Sequence, residues 1–182
     1  MDRASLPMEE TVMAPIGAST AERMADPTRG TVMRGVTAGV VGAIFMGLIA
    51  MIVSAAMGAG FFMPVMLIGA TYLGDGFNDL PVWSAILGLV THLVAGGAFG
   101  ALFIALARNI RATSAKLAAG VAYGAAVYLF MTFLVMPWAN PVMYASIDKG
   151  FFFLLHLVYG AVLPLALMRA PRAFGDRARP AY

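Results

Sequence analysis

The stretch PVWSAILGLVTHLVAGGAFGALFIALARNIR, residues 81–111, decides the fold of this 182-residue chain. No Asp, Glu, Lys or Arg interrupts it between Asp79 and Arg108. That length suffices for a helix across a hydrocarbon layer of about 30 Å, which takes roughly 20 residues. The intervals from Arg34 to Asp75, Lys116 to Asp148 and Lys149 to Arg169 are likewise free of charge. They place span one at Val36 to Met57, span two at Val82 to Ala107, span three at Leu117 to Met136 and span four at Gly150 to Met168. Span three is expected to stop at Pro137–Trp138, and span four carries Pro164 near its end.

Composition agrees with this reading. Hydrophobic residues make up 61% and charged residues 12%, against about 25% charged in a soluble domain, so water could not surround the folded chain. The mean hydropathy of +0.84 has the same cause. The expected fold is all-α: a four-transmembrane-helix bundle built as two tandem helical hairpins. The segment Phe61 to Leu73 is too short to cross. With Pro64 inside it and Gly74–Asp75–Gly76 after it, an outer-side interfacial helix followed by a turn is expected after helix one.

Charge sets the direction. Arg23, Arg29 and Arg34 precede span one, Arg108, Arg111 and Lys116 join spans two and three, and Arg169, Arg172, Arg177 and Arg179 follow span four. The opposite loops hold Asp75, Asp79 and Asp148, with Lys149 as the lone cation. The positive-inside rule then puts both termini in the cytosol, in the inner membrane of a bacterium. Trp83, Trp138, Tyr72 and Tyr144 fall near the outer headgroups, where amphipathic rings are favoured. The domain plan is a cytoplasmic tail over 1–34, with a short helix near Thr20 to Ala25, a transmembrane domain over 35–169 and a short tail over 170–182. The net charge of +3 needs no nucleic acid to explain it, and the absence of Cys excludes disulfides and thiolate chemistry.

An internal repeat supports the two hairpins. Ala38–Gly39–Val40–Val41–Gly42–Ala43 in span one resembles Ala119–Gly120–Val121–Ala122–Tyr123–Gly124–Ala125 in span three. His92–Leu93–Val94–Ala95–Gly96 in span two matches His156–Leu157–Val158–Tyr159–Gly160 in span four. Gly88, Gly96 and Gly100 recur every four residues with His92, as do Gly120 with Gly124 and His156 with Gly160. In lipid, helices associate by close backbone packing, so Gly39, Gly42, Gly88, Gly96, Gly100, Gly120, Gly124 and Gly160 are the expected contacts.

His92 and His156 are the only histidines, and both lie inside spans. One reading makes them cofactor-binding residues, axial ligands of a b-type haem or contacts to a quinone, with the following glycine leaving flat space beside each ring. The other makes them hydrogen-bond donors across the bundle to Thr91, Thr132, Tyr128 or a backbone carbonyl. The fourteen methionines are scattered in phase and depth and read as adaptable packing, with no metal site expected. No Asp or Glu lies within a span, which argues against a carboxylate-based proton pump.

In Gly39, Gly42, His92, Gly96, Gly100, Gly120, Gly124, Pro137, His156 and Gly160 the chain resembles small, uncharacterised bacterial inner-membrane proteins with four transmembrane helices. That resemblance covers Thr31 to Met168 and implies no activity. The expected role is a non-catalytic accessory subunit of a larger membrane complex, one of energy conversion such as respiration. Larger integral subunits would meet it through the tail and the glycine-rich helix faces, and lipids would cover the rest. A haem- or quinone-binding electron-transfer protein and a small transporter or channel are the alternatives.

Overall fold

The structure, a computed structural model, describes residues 27–169 and, among them, consists of helices and turns without a strand. The helix expected near Thr20 to Ala25 and the tail over 170–182 lie outside the described residues. Helix α1 spans Pro27–Ala56 and α2 spans Met63–Leu73; a 3-10 turn, Gly74–Asn78, leads to α3, Pro81–Ala107. Helix α4, Thr113–Leu129, continues through a π-helical turn, Phe130–Val135, into α5, Met136–Ala139. Helix α6 is Pro141–Ser146 and α7 is Lys149–Arg169.

The rods Arg29–Ala56, Pro81–Ala107, Thr113–Ala139 and Lys149–Arg169 are long and apolar enough to cross a membrane, which makes this a multi-pass membrane protein with a four-helix bundle. Its helices wear their large apolar residues outside. On α3, Val94 is 67% exposed and Leu106 64%, while Gly88, Gly96, Gly97 and Gly100 are buried. Small residues inside and bulky ones outside is the arrangement lipid favours, since backbones then approach closely.

Two boundaries differ from expectation. Helix α1 begins at Pro27, so residues 27–34, expected as tail, are helical. A proline fits a first helical turn because its missing N–H would have no partner there, and Gly35 anchors the next turn against Ile104 and Gly100 of α3. The third rod also runs past Pro137 to Ala139. Proline lacks a donor and its ring crowds the carbonyl four residues back. The π turn immediately before it takes up the misfit, with the Met136 amide donating to Met131, five residues back.

Each hairpin closes through the glycines of the repeat. A Cβ on Gly39 would overlap the Gly96 carbonyl of α3 and the Gly100 backbone; one on Gly120 would overlap the Gly160 carbonyl of α7 and press on the Pro164 ring. Gly39 therefore corresponds to Gly120, Gly96 to Gly160 and Gly100 to Pro164, as the sequence alignment of the halves requires. Gly88 departs from the pattern. It meets Val65 and Gly69 of α2, so it seats the short helix and not a second spanning helix. The short helices also correspond: Pro64–Val65–Met66 in α2 and Pro141–Val142–Met143 in α6 share a Pro-Val-Met start. Both follow the first long helix of their half. Between α1 and α2 the chain turns at Gly58 and Gly60, whose φ values of 78° and 101° suit glycine.

The helix ends sort by charge. Asp75, Asp79 and Asp148 share one end of the bundle with α2 and α6; Arg34, Arg108 and Arg169 share the other. At the acidic end Tyr72, Trp83 and Trp138 are exposed.

Candidate functional site

The backbones of α3 and α4 stay apart, because each closes against its own hairpin partner, α1 or α7. The gap between the hairpins is a cavity of about 500 Å³. Its mouth carries Ser54, Met57, Ser146 and Asp148 at the acidic end, and its floor carries Gly96, Phe99 and Tyr159. This size and an apolar wall with a few polar groups are what a small-molecule site requires.

The floor is held by hydroxyls that cross between hairpins. Tyr159 of α7 is buried, lays its ring on Gly42 of α1 and donates its hydroxyl to the Gly96 carbonyl of α3 at 2.7 Å. Tyr123 of α4 donates to the Phe99 carbonyl of α3 at 2.7 Å. Both carbonyls belong to a helix and accept through a second lone pair.

His92 and His156 both line the cavity. His92 Nε2 lies 2.9 Å from the Ala43 carbonyl of α1, and His156 Nδ1 lies 2.9 Å from the Phe152 carbonyl one turn back in α7. A carbonyl only accepts, so each of these nitrogens carries the hydrogen. His92 Nδ1 and His156 Nε2 have no hydrogen-bond partner among the described residues. In a neutral imidazole such a nitrogen is an acceptor. Neither histidine bonds Thr91, Tyr128 or Thr132. Thr91 pairs with the Tyr72 hydroxyl at 2.7 Å, Tyr128 meets His156 edge-on with centroids 5.7 Å apart, and the Thr132 hydroxyl is buried without a partner.

The glycine one turn beyond each histidine does not open space beside its ring. Gly96 is filled by the Ala43 side chain and Gly160 by the backbone of Gly120 and Gly124. A pair of Nε2 ligands is not on offer either, because His92 Nε2 is committed to Ala43. The residues present do not fit a b-type haem held between the two histidines. Among the described residues no group of three or more His, Cys, Asp or Glu could hold a metal.

Asn140 also lines this cavity. It is buried, its Nδ2 donates to the Leu67 carbonyl at 2.8 Å and to Thr71 Oγ1 at 2.9 Å, and its Oδ1 caps α6 by accepting from the Met143 amide at 2.9 Å. It thereby ties α6 to α2 across the cavity. Six of the methionines, Met46, Met57, Met63, Met131, Met136 and Met143, line this cavity. Their abundance in the sequence is the signal, and their spread over α1 and its end, α2, the π turn, α5 and α6 hides it. Flexible thioether side chains make a wall that can adapt to an occupant.

Comparison with protein-family models, with curated proteins and with solved structures yields no match for this chain.

Proposed function

We propose that this protein holds a small, largely apolar ligand of the quinone and quinol class within the bilayer, in the cavity between its two hairpins. The observation that carries this reading is the pair of imidazoles, each with one uncommitted nitrogen, on the wall of an otherwise apolar cavity of about 500 Å³. A quinol hydroxyl donates to such a nitrogen, and its ring and methyl groups lie against methionine and phenylalanine. The hydrogen bonds to Ala43 and Phe152 hold the imidazoles in orientation. Proton exchange with the ring is the chemistry the site supplies; the described residues offer no nucleophile and base pair at its wall.

The sidedness we propose puts the arginine end in the cytosol and the cavity mouth on the opposite face of a bacterial inner membrane, following the positive-inside rule. A role as accessory subunit of a larger complex remains our proposal for its setting. Its support is the tail sequence outside the described residues, and copurification with larger integral subunits tests it.

The binding experiment titrates detergent-purified protein with a short-chain benzoquinol. Saturable binding is expected, and Ala50→Phe, which fills the cavity from α1, abolishes it. Absence of saturable binding, or binding unchanged in Ala50→Phe, contradicts the proposal.

A further inference from the structure

At the arginine end a separate groove of about 510 Å³ lies between α1 and α7. Arg34 and Arg169 stand at its head, and Val41, Phe45, Val162 and Leu165 line its length. Arg34 is half-buried; one Nη donates to the Leu167 carbonyl at 3.3 Å, a carbonyl in the last turn of α7 with no intrahelical donor. Its Nε is buried and has no partner. A guanidinium has five N–H donors, so most of the donor capacity of Arg34 is unspent. Among the described residues, Asp75, Asp79 and Asp148 are the acidic side chains, and all lie at the far end. Among the described residues, the two arginines at the head of this groove therefore have no carboxylate partner.

From Arg34 to Phe45 the groove follows α1 for about 16 Å at ~1.5 Å per residue, close to half of a hydrocarbon layer of about 30 Å. We infer that this groove binds one anionic phospholipid, its phosphate on Arg34 and Arg169 and one acyl chain along Val41 and Phe45. Length selects an acyl chain of a single leaflet, and charge selects an anionic headgroup over a zwitterionic one. The site is remote from the cavity mouth, so it stands independently of the quinol reading.

The test is native mass spectrometry and thermal unfolding of the purified chain with phosphatidylglycerol, phosphatidylcholine or inorganic phosphate. Phosphatidylglycerol is expected to bind in preference to phosphatidylcholine and to raise the unfolding midpoint, while inorganic phosphate does nothing. Arg169→Gln, at an exposed position that leaves the fold intact, is expected to reduce that preference about fivefold, the weight of one cation near a lipid surface. Arg34→Gln reduces it further. Val41→Trp, which blocks the groove and keeps both arginines, removes lipid binding. Equal binding of the two lipids, an equal rise with inorganic phosphate, or preference retained in Arg169→Gln or in Val41→Trp would overturn the inference.

Discussion

Gly120 of α4 and Gly160 of α7 face each other reciprocally: a Cβ built on either one would overlap the carbonyl oxygen of the other. The Gly160 carbonyl has no donor four residues on, because Pro164 has no N–H to give it. It faces Gly120 across the crossing, the setting for a Cα–H···O contact between helices.

Alanine at these crossings therefore forces whole backbones apart, since no flexible side chain is there to yield. Gly120→Ala, Gly160→Ala and Gly39→Ala are each expected to destabilise the bundle by about 1–3 kcal/mol or more. Gly30→Ala is the control. Nothing lies within 4 Å of its Cβ position, so stability should hold or rise by up to about 1 kcal/mol from better helix propensity. Thermal unfolding in detergent measures both.

Asn140→Ala should cost about 1–3 kcal/mol, because it leaves the Met143 amide without its cap and frees Thr71 and the Leu67 carbonyl. The loss should be local. Hydrogen exchange is expected to quicken in α2 and α6 while the hairpin crossings at Gly39 and Gly120 keep their protection.

Tyr159→Phe removes one hydroxyl and leaves the ring on Gly42. The expected cost is about 0.5–1.5 kcal/mol, the net value of a single hydrogen bond, with quinol binding retained because the cavity floor keeps its shape. Unfolding and binding measured on the same variant check both halves of this expectation.

Much of the architecture was legible because it follows from local pattern. Uncharged runs located the four spans, and the paired His-Leu-Val-x-Gly marked which helices are equivalent. What stayed hidden depends on helix rotation. His92 and His156 share a motif but bond differently, one across to α1 and one back along its own helix. The collection of methionines at one cavity depends on which faces of four helices and the π turn converge. Asn140 sits beside Pro141 and its partners Leu67 and Thr71 lie far away in sequence, so local pattern does not reveal them.

Sidedness is open to labelling because the chain has no cysteine of its own. In intact cells, a cysteine replacing Lys149 is expected to react with an impermeant maleimide, and one replacing Arg111 to react only after the membrane is opened. The reverse pattern would invert the orientation.

The chain's two histidines make one measurement decisive for the ligand site. Nitrogen-15 spectra of histidine-labelled protein in lipid nanodiscs resolve each imidazole, and the account predicts hydrogen on His92 Nε2 and on His156 Nδ1. It further predicts that a short-chain benzoquinol shifts the remaining nitrogens, His92 Nδ1 and His156 Nε2, in the wild type and not in Ala50→Phe. Spectra with the opposite tautomers, or ring nitrogens indifferent to saturating quinol, would contradict it.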